Sequence, residues 1–99
     1  MNAKRLTLAD QVLLHLATHQ IREYDFGYVA PPELTQDGIA NALGIGRNNI
    51  PRILKKLMKD GLIEEKKAHV HGAKHRRKVY ILTPKGFLKV IELREEYGK

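Results

Sequence analysis

Leu8, Val12, Leu13 and Leu16 recur at the three- and four-residue spacing of one helix face. The pattern predicts a first helix over about Thr7 to Thr18, with Thr7 as N-cap and Asp10, three residues on, as its capping partner. Gly27 and the Pro31-Pro32 pair then break the chain, and between Ile21 and Pro32 only Tyr28-Val29 reads as a very short strand. A second stripe, Ile39, Ala40 and Leu43, follows Thr35, whose hydroxyl suits an N-cap; Asp37 in the first turn suits the positive end of the helix dipole. Gly44 closes this helix as a C-cap glycine. A third stripe of Ile50, Ile53, Leu54, Leu57 and Met58 resumes within a few residues and puts Arg52, Lys55, Lys56 and Lys59 on the opposite face. Pro51 lacks an N–H and is harmless only in a first turn, so this helix is expected to start at Asn48 or Asn49 and to run to Lys59, before Asp60-Gly61.

The period then changes from helical to alternating. Leu62 to Lys67 and Arg77 to Thr83 read as strands, the second with Val79 and Ile81 alternating with Lys78, Tyr80 and Leu82. Gly72 suits a hairpin tip between them, so the two are expected to pair antiparallel. Thr83-Pro84 opens a last helix, Thr83 as N-cap and Pro84 at the first helical position. Phe87, Val90 and Ile91 are its expected core side, with Leu88 and Leu93 off that side as a second apolar contact. Two helices joined by a glycine turn, then a hairpin and a helix, predict an α+β fold: a three-helix core, a small antiparallel β-wing and a C-terminal helix. There is no internal repeat and no low-complexity stretch.

Composition narrows the function. Ninety-nine residues predict one domain, 1–99, with one modest core. Hydrophobic residues are 42% of the chain, ordinary for a folded domain. The chain has no cysteine, which excludes disulfides and thiolate metal sites. No apolar run reaches the ~18 residues of a membrane span, and no signal peptide is visible at the start. The expected location is cytoplasmic. Eighteen Lys and Arg against eleven Asp and Glu leave a net charge of +7, which points to a polyanion partner, nucleic acid first.

These residues together resemble the winged helix-turn-helix transcriptional regulators, most of all the MarR-like kind of archaea and bacteria. The resemblance covers about residues 34 to 86. It is carried by Leu34-Thr35, Ile39-Ala40 and Leu43-Gly44; by Arg52, Leu54 and Leu57 before Gly61-Leu62-Ile63; and by Arg76-Arg77, Tyr80 and Leu82-Thr83-Pro84-Lys85-Gly86. It implies a helix-turn-helix over about 35–60, a wing over about 62–83 and a C-terminal helix over about 84–97. It also implies that the third helix enters the major groove of double-stranded DNA while the wing touches flanking backbone or minor groove. Arg47, Asn48, Asn49, Pro51 and Arg52 then fall at the groove-facing start, with Lys55 and Lys56 further along, and Lys74, His75, Arg76 and Arg77 on the wing.

The chemistry of the residues agrees. Arg pairs bidentately with guanine and Asn with adenine, whereas outlying Lys and Arg contact phosphate, which positions without specifying. The bland readings are a capped helix start, a solvated lysine face and a charged hairpin that protects its sheet edge. The docking alternative, a winged helix whose third helix packs on another protein, conflicts with a Lys-rich face, because interface cores deplete Lys. Structured RNA would be read by the wing. His69, His71 and His75 share the wing and His15 and His19 lie one turn apart, but no Cys or nearby carboxylate completes a ligand set, so no metal and no cofactor are expected. Gly44-Ile45-Gly46 reads as a turn, there is no nucleophile elbow, and Glu64-Glu65 and Glu95-Glu96 are adjacent pairs that point apart, so no enzyme is expected. A homodimer would use the first and last helices.

Overall fold

The computed structural model describes residues 6–20 and 29–97. Helix α1 (Leu8–His19) starts with the expected capping box: the Asp10 N–H donates to the Thr7 hydroxyl, and the Thr7 N–H donates to the Asp10 carboxylate. A 3-10 turn (Pro32–Leu34) leads into α2 (Gln36–Leu43), which Gly44 ends in the left-handed conformation at φ 66°, as a C-cap requires. Helix α3 (Ile50–Lys59) follows, then strands β1 (Ile63–Ala68) and β2 (Arg77–Leu82), then α4 (Pro84–Tyr97). The strands form one antiparallel pair in register from Ile63 opposite Leu82 to Ala68 opposite Arg77. Gly72, at φ 85°, lies in the turn between them.

The core draws on every element, taking one face of each helix and both faces of β2. Val12, Leu13 and Leu16 of α1 meet Leu34, Ile39, Ile50, Leu54 and Leu57, with Ile63, the whole run Val79–Leu82, Val90 and Leu93 completing the cluster. Each such side chain, fully buried, stabilises the fold by about 1.5–3 kcal/mol relative to exposure. Ala30 adds a parallel bridge to Val70: its N–H donates to the His69 carbonyl and its carbonyl accepts from the His71 N–H. The wing is thereby tied to the segment before α2. Of the expected Tyr28-Val29 strand, Tyr28 lies outside the described residues, and Ala30, not Val29, makes the bridge.

Three expectations change. Helix α3 begins at Ile50, not at Asn48 or Asn49. Asn49 occupies the cap position without a capping hydrogen bond: its backbone is already helical and Pro51, two residues on, has no N–H to offer. Strand β2 does not alternate. Tyr80 and Leu82 are as buried as Val79 and Ile81, because α1, the 3-10 turn and α4 all pack on this strand. In α4 the inward line is Gly86, Val90 and Leu93, while Phe87, Leu88 and Ile91 are 43%, 64% and 51% exposed. The reason is Gly86: a Cβ there would overlap the Leu62 carbonyl oxygen, so α4 is rotated to put the glycine against Leu62, the residue before β1. Among the described residues no helix is long and apolar enough to cross a membrane.

Candidate nucleic-acid interface

The local sequence around α3 sets which side chains face outward. Ile50, Leu54 and Leu57 are spaced to bury one line of the helix, which leaves Arg52, Lys55, Lys56 and Lys59 exposed on the other. Arg47, Asn48 and Asn49 sit in the turn just before it, all exposed. That turn closes with the Asn49 N–H donating to the Gly46 carbonyl at 2.9 Å. The Asn49 side chain, released from capping, instead accepts from the Arg52 guanidinium at 2.9 Å. An amide and a guanidinium are thus presented as one bonded pair at the helix start.

On the wing, Lys74, His75 and Arg76 are exposed in the segment between the strands, and Arg77 and Lys78 open β2. Among the described residues, Lys55, Lys56, Lys74 and Arg76 form no ion pair. Arg77 and Arg47 do, and with the same partner. Asp37, in the first turn of α2, lies 3.6 Å from the Arg47 Nε through one carboxylate oxygen and 3.8 Å from an Arg77 guanidinium nitrogen through the other. The structure therefore brings the turn before α3 and the root of the wing to one point. Behind it, the Gln36 side-chain amide donates to the Tyr80 hydroxyl at 3.4 Å, and that hydroxyl donates to the Glu65 carboxylate at 3.0 Å, with Lys78 3.9 Å from the same carboxylate. Burial pushes the Tyr80 phenol above its usual range.

Asp37, Gln36 and Glu65 are the polar partners that sequence patterning misses as partners. Asp37 is legible as a dipole-stabilising residue, and Glu65 as one of two solvent-facing acids; that each holds a basic residue of the wing depends on tertiary placement alone. The histidine pair also changes meaning. His15 is buried, its Nε2–H donates to the Glu33 carbonyl at 2.8 Å, and the His19 ring lies 4.6 Å away. It is an internal strut between α1 and the 3-10 turn. Among the described residues, no three His, Asp or Glu side chains are grouped to hold a metal ion.

A core of three helices, a two-stranded wing and a basic exposed α3 define a winged helix-turn-helix domain. The family model of the Crp-like helix-turn-helix domain matches residues 11–87, and the chain belongs to that family. Among solved structures it is similar to a cysteine-to-serine mutant of Lactococcus lactis ZitR, with a TM-score of 0.68 and 23% identity over 99% of this chain and 57% of that one. It is also similar to Lactococcus lactis ZitR described as a zinc-responsive MarR family member, with a TM-score of 0.66, 22% identity and the same coverage. These likenesses show the shared fold, and the chain spans 57% of the length of either ZitR chain. No curated protein matches it.

Proposed function

We propose that the chain is a single winged-helix domain that binds double-stranded DNA in a sequence-specific way and serves as a transcriptional regulator or the DNA-binding module of one. In this reading α3 enters the major groove, and the wing lies on flanking backbone or minor groove. The observation that carries it is the shared carboxylate of Asp37, which gathers Arg47 and Arg77 beside the exposed basic face of α3. Arg52, with Asn48 and Asn49, supplies base-reading chemistry, and Arg47 flanks it at the turn; Lys55 and Lys56 supply phosphate contacts, as do Lys74, His75, Arg76 and Arg77 on the wing. The proposed location is the prokaryotic cytoplasm, with no membrane, no cofactor, no metal and no enzymatic step.

The test is a titration of mixed-sequence and selected duplexes at two salt concentrations. Counterion release makes affinity fall by about 10²-fold or more between roughly 50 and 200 mM salt if about five phosphates are contacted. A salt-insensitive or absent response sinks the reading and favours protein docking. Arg52→Ala is expected to reduce discrimination between sequences, and Arg76→Ala with Arg77→Ala to weaken all duplexes alike. A homodimer through the first and last helices is part of the proposal. It is supported by Phe87, Leu88 and Ile91 exposed on α4 and by Leu8 exposed on α1, two helices that pack together. A monomeric mass at high concentration removes it.

A further inference from the structure

We propose that Asp37 is a specificity-determining residue of the duplex interface, an internal carboxylate that competes with DNA phosphate for Arg47 and Arg77. The inference rests on the duplex-binding reading above. The three side chains come from three elements, α2, the turn before α3 and the first residue of β2, and are 52%, 74% and 56% exposed. Each carboxylate oxygen faces one guanidinium, at 3.6 and 3.8 Å. Pairs this long and this open to water are weakly held and exchange readily with another anion. Arg77, Lys78 and Asp37 also line an open cleft of about 290 Å³ between α2 and β2.

The consequence is a charge of +1 where two arginines alone would offer +2. Binding that reads no sequence depends on the number of phosphates neutralised. Phosphates that take one arginine leave Asp37 half-compensated beside a polyanion, and phosphates that take both leave it unpaired, which is repulsive. A duplex that offers only phosphate meets that repulsion with nothing to offset it. A duplex that also engages Arg52 and the neighbouring asparagines through its bases depends less on these two phosphate contacts, and so meets less of that repulsion. Asp37 thereby weakens wrong complexes more than right ones, the signature of a built-in repulsive element. Asp37 also holds both arginines at one point of the surface, so it positions them as well as masking them.

The experiment uses the full chain and Asp37→Asn, which preserves side-chain shape at an exposed first-turn position; Asp37→Ser serves as a second variant. The probes are a 30-base-pair mixed-sequence duplex and a duplex selected by the wild type from a random pool. Removing the carboxylate is expected to tighten mixed-sequence binding by about 3- to 10-fold at low salt and to steepen its salt slope by about one unit. Affinity for the selected duplex should change less, so the ratio between the two falls. In an Arg47→Gln, Arg77→Gln background the same substitution should change affinity by less than about twofold, because the arginines are the route of the effect. Mixed-sequence affinity unchanged by Asp37→Asn overturns this inference alone. So does an undiminished gain in the background without the arginines, which would make Asp37 a diffuse charge. Absence of duplex binding by the wild type overturns the duplex reading and this inference with it.

Discussion

Helices α2 and α4 begin with the same four-residue device. Thr35-Gln36-Asp37-Gly38 opens one and Thr83-Pro84-Lys85-Gly86 opens the other. In each, the threonine hydroxyl accepts from the glycine N–H, at 3.1 Å in α2 and 3.0 Å in α4. In each, the same hydroxyl donates backwards to a carbonyl of the preceding segment, Pro32 at 2.7 Å or Gly61 at 2.6 Å. In each, the absent Cβ of the glycine admits a carbonyl oxygen, that of Pro32 or of Leu62. The difference is the residue before the glycine. Asp37 reaches out to two arginines of the candidate interface, whereas Lys85 turns back to the Asp60 carbonyl at 2.9 Å. One helix start serves packing alone; the other serves packing and links the turn before α3 to the root of the wing.

The largest effect is expected at the glycines. Neither has a positive φ, so alanine is conformationally welcome at both and, by helix propensity, would stabilise by up to ~1 kcal/mol. Packing reverses the sign. At Gly38 the three nearest atoms are all backbone, with the Glu33 Cα at 2.7 Å and the Pro32 carbonyl carbon at 2.8 Å from an added Cβ. At Gly86 the carbonyl carbon of Leu62 is at 3.1 Å and the third neighbour is a Leu82 methyl at 3.2 Å, which has some freedom to give. Gly38→Ala is therefore expected to cost about 3 kcal/mol and Gly86→Ala about 2 kcal/mol. Urea midpoints at unchanged m-value measure both. Stabilisation by either substitution would show that its carbonyl is not held against the helix.

The threonines come next. Thr35 is buried and Thr83 only partly so. Losing the hydroxyl costs a cap at both positions, and at Thr35 it also leaves the Pro32 carbonyl without its short donor away from water. Thr35→Ala is expected to cost about 2 kcal/mol and Thr83→Ala about 1 kcal/mol, with serine restoring most of each. Equal costs would mean that the two starts are alike in solvent access.

Titration separates the starts further. The 3-10 turn that anchors α2 is itself held by His15 through the Glu33 carbonyl, while the α4 anchor has no histidine. Burial, with a smaller push from His19, lowers the His15 pKa below its usual 6.5; the bond to the Glu33 carbonyl and the Glu33 charge oppose this more weakly. The unfolded chain thus takes up the proton first as pH falls. His15 stability is present in full above 6.5 and is lost as pH drops from there through the lower folded value. Unfolding midpoints from pH 7.5 to 5 should decline, and His15→Gln, which keeps a donor but cannot titrate, should flatten that decline. A slope unchanged by the substitution would assign the acid sensitivity elsewhere.

What the sequence disclosed follows the same division between local and distant causes. The caps at Thr7, Thr35, Thr83 and Gly44 were legible because each is a contact within a few residues of chain. The outward set on α3 was legible because its buried stripe has a helical period, so Arg52, Lys55 and Lys56 had nowhere else to go. The rotation of α4 was not, since Phe87, Val90 and Ile91 are as apolar a line as Gly86, Val90 and Leu93, and only the approach of the Leu62 carbonyl decides between them. The buried Tyr80 and Leu82 escaped the period-two pattern because three further elements cover β2. Asp37 as a link between Arg47 and Arg77 was invisible, because nothing in the chain near it registers the wing.

The smallest effect is the most discriminating. Asp37 and Lys85 hold equivalent places, but the helix dipole favours an acid there and disfavours a base. Lys85 offsets its unfavourable position by its bond to the Asp60 carbonyl, so Lys85→Ala should change stability by less than about 0.5 kcal/mol. Asp37→Asn loses the dipole term and two exposed ion pairs, expected to total about 0.5–1 kcal/mol. If α2 carries an acid for function, this small cost should accompany a clear change in duplex affinity, while Lys85→Ala changes neither. A cost for Asp37→Asn near that of Thr35→Ala would instead make the carboxylate a structural clamp, and the two helix starts would differ in strength rather than in purpose.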